Sequence, residues 1–253
     1  MILQCDKFMN TSIVYNTGRH SVKERVDPGI SHSRYVHLRL LLGHVKYILN
    51  KYFGKNKDLV FVDLGCGEMP YRPMIEPQVA KYIGVDIPGN PKADSYVDLD
   101  SNQCDLPPRS ADVVWSVGVL EHVEDVEKYL AECHRLLKPK GKLMLCTHGI
   151  WMYHPDPIDF WRFTGKGLET TIERSGFEIV ENKGIMALLP TSLQLFQDAV
   201  LLSFPLVKYW KTPFCFVMQR LISAASFFTK KSKTLTEYQN KEACLFFVVA
   251  SKN

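Results

Sequence analysis

Residues 58–71 read DLVFVDLGCGEMPY, and this stretch decides the fold. The apolar run Leu59–Leu64, interrupted only by Asp63, has the pattern of a strand buried on both faces, as in a parallel sheet. Gly65 and Gly67 follow the strand directly, and glycine lets a backbone turn tightly and approach a ligand closely. The stretch therefore predicts a parallel strand that ends in a ligand-binding turn.

Strand-like and helical patterns alternate along the rest of the chain. Apolar strand-like runs lie at 82–86, 96–99, 111–117, 142–147, 177–182 and 243–251. Helical periodicity covers 31–52, 124–138 and 165–176, with Ser31 or Ser33 as the cap of the first helix and Gly54 at its end. Lys138–Gly141 ends the second helix with basic charge, a proline and a glycine. Such alternation is typical of a doubly wound α/β sheet.

The chain divides into four segments. We expect an N-terminal arm and helix over 1–57, a ligand-binding α/β domain over 58–183, an apolar helical insertion over 184–242, and the last strand over 243–253. A chain of 253 residues with 46% apolar and 23% charged residues suits one such domain with elaborations. The formal charge of +4 is too small to argue for nucleic acid. Seven cysteines without a CxxC pair indicate buried, reduced thiols.

The acid at the end of the second strand indicates which ligand the turn binds. Asp86 lies 19 residues after Gly67, where a carboxylate accepts hydrogen bonds from both hydroxyls of a ribose. A dinucleotide site would require a third glycine and free N–H groups for the pyrophosphate. That position is Pro70, which has no N–H to donate. The loop therefore predicts a ligand with a ribose and without phosphates.

Several motifs in order resemble one enzyme family. FVDLGCG, YIGVDI, LPPRSADVVWS and VLEHVEDVEKYLAECHRLLKPKG resemble the class I S-adenosylmethionine-dependent methyltransferases of the type 11 family over residues 58–183. GCGEMPYRPMI and HPDPIDFWRFTGKGL resemble a bacterial subgroup associated with surface-polysaccharide biosynthesis. The resemblance implies a Rossmann-like sheet of seven strands, mostly parallel with an antiparallel last strand, and S-adenosylmethionine as cofactor. Lys140, where the family usually has glycine, and Pro108-Arg109 depart from the pattern at surface turns.

The resemblance also implies contacts with the methionine part of the cofactor. Gly65, Cys66 and Gly67 would flank this part, and Asp63 would hold its amino group through water or the main chain. The segment Ser116–Val119 would form the other wall of the methionine site, with Ser116 and Val117 as the first-choice contacts. Glu121 and His122 follow this wall, and their alternative role is to cap a helix and to place charge at its positive end.

The ribose and adenine contacts follow from the same resemblance. Asp86 would bind the ribose hydroxyls, with Ile87 against the adenine. Asp98 and Leu99 would meet the edge and the face of the adenine. Asp100 is the competing choice for the edge, because the spacing to the Leu106-Pro107 turn is longer than usual.

The loop after the fifth strand has the composition of a substrate site. Residues 147–164 read THGIWMYHPDPIDFWRFT, and loops at this end of a sheet face the ligand crevice. His154 is the first choice as general base and His148 the second, with Asp156 or Asp159 as orienting partner. Trp151 and Tyr153 would stack on a sugar or an aromatic ring. In this hypothesis Trp161 and Arg162 contact the substrate. In the alternative they hold the loop together: Asp159 and Arg162 form an ion pair, and Trp161 fills the core of the loop.

Motifs that the sequence lacks narrow the range of possible methyl acceptors. It contains neither the Asn/Asp-Pro-Pro-aromatic tetrad of amino-methylating nucleic-acid enzymes nor a Pro-Cys pair, and no basic-aromatic stripe for RNA. No histidine-cluster signature is present, so we expect no metal. The leading hypothesis is O-methylation of a sugar or glycan precursor. The alternatives are methylation of a quinone or prenylated small molecule, and a non-catalytic cofactor-binding partner protein.

The insertion is too interrupted by charge to span a membrane. Asp198, Lys208 and Arg220 break its apolar runs. Its second half has a helical stripe: Phe214, Val217, Met218, Leu221, Ile222, Ala225 and Phe228. The stripe would form a lid over the active site, a homodimer interface, or a contact with a membrane surface through residues 190–230, which the basic cluster 230–233 favours. A cytoplasmic location is expected, either free or peripheral at the inner face of the membrane.

Overall fold

The computed structural model of the protein describes residues 22–53, 57–155, 158–204 and 209–253. The helices are α1 Val22–Val26, α2 Tyr35–Phe53, α3 Arg72–Ile75, α4 Val126–Leu136, α5 Gly165–Arg174, α6 Leu188–Ser203, α7 Lys211–Lys231 and α8 Lys233–Gln239, with short 3-10 turns at Glu76–Gln78 and Leu120–His122. The strands are β1 Val60–Leu64, β2 Lys81–Asp86, β3 Ser95–Asp98, β4 Gln103–Cys104, β5 Ala111–Val117, β6 Leu137–His148, β7 Phe177–Ala187 and β8 Ala243–Lys252. The predicted roles of Gly54 and Asp156 lie outside the described residues.

The strands form one mixed sheet in the order β4-β3-β2-β1-β5-β6-β8-β7. The five strands β3, β2, β1, β5 and β6 run parallel, and β8 pairs antiparallel with both β6 and β7. This confirms the predicted fold class, with eight described strands instead of seven. The additional strand, β4, has two residues and pairs antiparallel with β3, and so short a strand carries no periodicity from which it could be predicted. The chain runs outward from β1 through β2, β3 and β4 and then returns to β5 on the other side of β1. The strand order therefore reverses at β1, and ligands bind at such a switch point.

The core lies on both faces of the sheet. Along β1, Phe61 belongs to one buried cluster and Val62 to the other, as the alternation of side chains along a strand requires. The first cluster packs under α2, whose Val45 and Ile48 are fully buried, and the second packs under α4 and α5. The six cysteines of the described part of the chain are buried and free, as predicted.

Three local predictions meet the structure differently. The first predicted helix is confirmed but begins at Tyr35, so Ser31 and Ser33 lie upstream of its cap position. Arg109 and Lys140 have φ values of 54° and 64°. These two departures from the family pattern are therefore non-glycine residues in left-handed backbone, which glycine adopts without steric cost. Lys140 lies inside β6, which starts at once where α4 ends.

The described residues of the insertion contain three helices, and the buried face of α7 differs from the predicted stripe. Met218, Ile222 and Ala225 are buried as expected, but Val217, Leu221 and Phe228 of the same predicted stripe are 52–67% exposed. The helix α7 is apolar on both sides, so periodicity alone could not say which side packs inward. Polar contacts decide the question, and the buried face contains Gln219.

Three buried glutamine side chains join the insertion to the start of α2. The side-chain amide nitrogens of Gln194, Gln197 and Gln219 lie 2.9, 2.6 and 2.9 Å from the main-chain oxygen of Ser33. The Gln219 oxygen accepts a hydrogen bond of 2.9 Å from the main-chain N–H of Val36. Buried polar groups of this kind are costly unless they are paired, and here each amide has partners. No helix of the described ranges is long and apolar enough to cross a membrane.

Candidate active site

The carboxyl ends of β1, β2 and β5 open into a cleft of about 1010 Å³. The turn Gly65, Cys66 and Gly67 lines this cleft, as predicted for a ligand-binding turn. Gly65 has a φ of 80°, and a Cβ at this position would lie 2.5 Å from Val119 Cγ2. Only glycine fits both the backbone angle and the space, so the turn brings bare main chain up to the cleft.

Asp86 ends β2 and faces the glycine turn. Its Oδ1 accepts a hydrogen bond from the Ile87 N–H at 2.9 Å, and its Oδ2 accepts one from the Gly67 N–H at 3.1 Å. Asn90 donates to the same Oδ2 at 2.6 Å and to the Gly67 carbonyl at 2.9 Å. The carboxylate is thus held at the cleft wall, where a ribose would meet it. Sequence analysis did not find Asn90, because no motif marks an asparagine that acts across a turn.

Asp63 also lines the cleft, but its carboxylate is already engaged. Its Oδ2 accepts a short hydrogen bond from the Tyr82 hydroxyl. Burial raises the pKa of Asp63 to about 7, against the opposing effect of the Tyr82 hydrogen bond. Asp63 is therefore not arranged for a direct charged contact with a cofactor amino group. This agrees with the predicted contact through water or the main chain.

On the adenine side, the two competing aspartates have different positions. Leu99 and Asp100 line the cleft together with Ile87. Asp98 is absent from the cleft wall, and its Oδ1 accepts hydrogen bonds from the main chain of Asp100 and Ser101. Asp98 therefore shapes the turn that carries Leu99 and Asp100, and the competing choice, Asp100, is the acid that the cleft can use.

On the methionine side, Val117 lines the cleft and Ser116 does not. Side chains alternate along β5, so Ser116 points to the other face of the sheet. There its hydroxyl lies 2.7 Å from the Tyr129 hydroxyl, which donates to the Leu64 carbonyl at 3.1 Å. The predicted cofactor contact of Ser116 is thus corrected to a supporting position behind the wall.

The 3-10 turn after β5 carries a fully buried glutamate next to the end of β6. Glu121 is 0% exposed, and its Oε1 lies 2.6 Å from His148 Nδ1. Its Oε2 accepts a hydrogen bond of 2.8 Å from Thr147. Burial opposes the charged form, yet the contact with His148 holds the pKa of Glu121 at about 2. A charged carboxylate only accepts hydrogen bonds, so the Nδ1 of His148 must be the donor in this contact. From the sequence, Glu121 follows the methionine-side wall with helix capping as its alternative role, and neither predicted the carboxylate–histidine pair that the structure shows.

A second carboxylate–histidine pair lies beside the first. His154 Nδ1 is 3.2 Å from Asp159 Oδ2, and the two histidine rings of His148 and His154 meet edge to face at 4.6 Å. Burial first, and then the neighbouring His148, lower the pKa of His154 to about 4. Arg162 forms an ion pair with Asp159 and donates to the carbonyls of Trp151 and Met152 at 3.1 and 2.6 Å. Arg162 and Asp159 therefore hold the loop together. Of the two roles considered for Arg162, this is the ion pair within the loop and not the substrate contact.

The aromatic side chains of the loop are distributed differently from the prediction. Trp151 is 8% exposed and packs between His37, at 4.7 Å, and His148, at 5.5 Å, so it has no free face for a substrate. Tyr153 is 66% exposed and does not line the cleft. Trp161 lines the cleft at 42% exposure, and its indole N–H donates to the Val123 carbonyl at 2.8 Å. Trp161 is thus a wall of the cleft and not a core plug.

Three side chains around His148 bear on the expectation that the protein holds no metal. Glu121, His148 and His154 each offer a ligand-type atom within 4.8 Å of the others, which is the one such group of three among the described residues. The expectation of no metal stays a prediction, to be tested by chelation.

Within the described ranges, no residue of the insertion lines the cleft, so the lid alternative has no contact to support it.

Comparison with known proteins agrees with this geometry. Residues 62–145 match the family model described as a methyltransferase domain. A probable S-adenosylmethionine-dependent methyltransferase from Mycolicibacterium smegmatis is 26% identical over 176 residues, which cover 64% of this chain and 66% of that protein. The chain thus aligns with just under two thirds of the length of this relative.

Solved structures share the fold at low identity. The [4+2]-cyclase SpnF superposes with a TM-score of 0.52 at 13% identity, over 83% of this chain and 80% of its own. A putative sarcosine dimethylglycine methyltransferase from Galdieria sulphuraria superposes with a TM-score of 0.51 at 14% identity, over 85% and 88%. Because these neighbours carry different names on one fold, the superpositions define the architecture, and the reaction must be argued from the site.

Fold, cleft and family match together define the class. The chain carries an S-adenosylmethionine-dependent methyltransferase domain of the Rossmann-like class I type. The residues fit the cofactor, since Gly65 leaves room where a Cβ would collide with Val119 and Asp86 presents a carboxylate at the end of β2. When bound, S-adenosylmethionine supplies a methyl group on a sulfonium, which is activated for transfer to a nucleophile.

Proposed function

We propose that the protein methylates a hydroxyl group of a sugar or glycan precursor, with the Glu121–His148 pair as the base. The observation that carries this proposal is the buried carboxylate–imidazole contact of 2.6 Å beside the cofactor cleft. A sugar hydroxyl is a weak nucleophile, so its proton must be taken as the methyl group arrives. A cleft for the methyl donor next to an oriented imidazole supports O-methylation.

The role of each partner follows from the pair's geometry. Glu121 fixes His148 in the tautomer with the proton on Nδ1, so that Nε2 accepts the acceptor's proton. The resulting imidazolium is stabilised by the charged carboxylate at the same contact. Thr147 holds the second oxygen of Glu121, which restrains the carboxylate against rotation. The His148 side chain is 10% exposed and is not itself part of the cleft wall; the pair adjoins the cleft through His122, which follows Glu121 in the chain and lines the cleft.

His148 replaces His154 as the first choice of base. With a pKa lowered to about 4, His154 is neutral at physiological pH but a poor proton acceptor, since a base works best with a pKa near the operating pH. Its ring instead stands 4.9 Å from that of His122, which lines the cleft. We assign His154 and Asp159 to the positioning of the loop around His148.

A polar acceptor also suits the remaining wall of the cleft. His122 and Trp161 line it, and an indole face beside a polar imidazole matches the mixed surface of a sugar ring. The alternative acceptor, a quinone or prenylated molecule, would require an apolar cradle for its tail. The described residues of the insertion contribute nothing to the cleft wall, so the structure favours the compact polar acceptor. The resemblance to polysaccharide-associated enzymes supports the same choice.

The test is methyl transfer from labelled S-adenosylmethionine to a panel of nucleotide-linked sugars, lipid-linked sugars and quinols. We expect a hydroxyl of a sugar to accept the label. His148→Ala should then lower kcat by about 10²–10⁴ with S-adenosylhomocysteine affinity nearly unchanged, and Glu121→Gln should also lower kcat. His134→Ala, on α4 away from the cleft, is the matched control.

The outcomes separate the parts of the proposal. Turnover with quinols alone would reject the sugar acceptor and keep the base. Loss of turnover in His154→Ala but not in His148→Ala would reverse the assignment of the base. Cofactor binding without turnover on any acceptor of the panel, or on amine controls, would support the non-catalytic alternative.

A further inference from the structure

The outer face of α7 exposes five large apolar side chains to solvent. Phe216, Val217, Leu221, Phe227 and Phe228 are 41, 56, 52, 56 and 67% exposed. All five lie on the helix side opposite the buried residues, and we call them, with the cations below, the α7 outer face. Single exposed apolar residues are ordinary, but a contiguous apolar surface of this kind marks a contact site.

The charged side chains of this face are all cationic. Arg220 lies over the Phe216 ring at 5.1 Å, and Lys231 lies over the Phe227 ring at 4.4 Å. From residue 199 to residue 236 the sequence contains six lysines and arginines and no aspartate or glutamate. These cation–π contacts hold each positive charge over an apolar ring of the exposed helix side, so apolar and cationic groups alternate on one surface.

The helix cannot turn to hide this face. Its inner side carries Gln219, whose amide contacts Gln194, Gln197 and the main chain of Ser33 within 2.9 Å. Rotation of α7 about its axis would break these buried contacts and leave their partners unsatisfied. The outer face is therefore a fixed feature of the folded domain.

We propose that the α7 outer face docks the protein on an anionic lipid bilayer. Apolar side chains interleaved with cations fit the boundary between acyl chains and negative headgroups. A symmetric homodimer through the same face would bring two cationic surfaces together, without any acidic residue of 199–236 to pair Arg220 and Lys231. Exposed Tyr209 and Trp210, directly before α7, extend the face with aromatic residues that favour the interface.

The experiment is co-sedimentation of the full chain with vesicles of phosphatidylcholine alone and vesicles that also contain phosphatidylglycerol. We expect binding to the anionic vesicles that weakens as salt increases. The double variant Phe227→Ser/Phe228→Ser should lose binding, and Arg220→Glu/Lys231→Glu should weaken it by about tenfold or more. Matched controls change exposed residues elsewhere: Val180→Ser on β7 and Lys81→Glu on β2 should bind as the wild type does.

S-adenosylhomocysteine affinity and the circular dichroism spectrum show that each variant is folded, since the α7 outer face lies outside the cofactor cleft. Absence of binding to anionic vesicles by the folded wild type overturns the proposal. Equal binding to neutral and anionic vesicles rejects the role of the cations and thus the proposal in this form. A dimer in sedimentation velocity that Phe227→Ser/Phe228→Ser abolishes, without vesicle binding by the wild type, would show that a second copy occupies the face.

Discussion

Gly65 is the position where one methyl group should disturb both stability and the site. A Cβ at this residue would lie 2.5 and 2.7 Å from the two Cγ atoms of Val119, and the backbone φ is 80°. The left-handed backbone costs a non-glycine residue about 1–2 kcal/mol, and an overpacked contact costs about 1–3 kcal/mol. Gly65→Ala should therefore lower the free energy of unfolding by about 2–5 kcal/mol, a large share of an ordinary domain's stability.

The same change should reach the proposed base. Val119 directly precedes the turn Leu120–His122, so a displaced Val119 would move Glu121 away from His148. We expect Gly65→Ala to weaken S-adenosylhomocysteine binding and to lower kcat as well. Urea unfolding and isothermal titration measure the stability and the affinity.

A double-mutant cycle separates the two contributions. Val119→Ala removes both Cγ atoms and leaves the Val119 Cβ at 3.2 Å, so it should recover about 1–3 kcal/mol in the Gly65→Ala background. The backbone cost should remain. Gly43→Ala is the control, because a Cβ on this α2 residue meets nothing within 4 Å, and it should stabilise by about 0.5–1 kcal/mol. A cost of Gly65→Ala below about 1 kcal/mol, or no recovery with Val119→Ala, would refute the reasoning.

Four further predictions test other contacts. Asp86→Ala should weaken S-adenosylhomocysteine binding by about 1–3 kcal/mol in isothermal titration, and unchanged affinity would mean that another residue holds the ribose. Gln219→Leu should cost about 2–4 kcal/mol in urea unfolding, because it leaves buried partners unpaired, and a negligible change would show that the glutamine cluster contributes little. The pKa of His154 is lowered from 6.5 to about 4, so the unfolded chain binds the extra proton between these values. Stability should be full above pH 6.5 and fall as the pH drops toward 4, and His154→Asn should flatten this slope in urea unfolding. Activity should survive dialysis against EDTA, whereas a loss that added zinc or manganese restores would assign a metal to the group Glu121, His148 and His154.

Patterns that are local in the chain predicted most of the fold. The buried strand before Gly65 and the acid at Asp86 were readable because strand, turn and acid follow one another in sequence. The alternation of strands and helices then determined the sheet, apart from β4, whose two residues are too few to show a period. The cofactor cleft follows from the same information, since parallel strands bring their carboxyl ends to one edge.

Side-chain choices between equivalent positions could not be predicted in this way. Asp98 and Asp100 are near neighbours in sequence, and only the turn geometry shows that Asp100 lines the cleft while Asp98 caps the turn. Ser116 and Val117 differ only by the alternation of β5, which depends on which face of the sheet meets the cleft. A shift of one residue in such an assignment reverses the direction of a side chain.

The sequence by itself determined the class of the domain and the position of the glycine turn and of Asp86 at the strand ends, because these depend on backbone patterns within short stretches. Only the tertiary structure decided which histidine meets a buried carboxylate, since Glu121 and His148 come from different strand ends that the sheet brings together. The same holds for α7, which is apolar on both sides. Its inner face was selected by hydrogen bonds between Gln219 and the distant main chain of Ser33 and Val36, and its outer face is exposed to solvent.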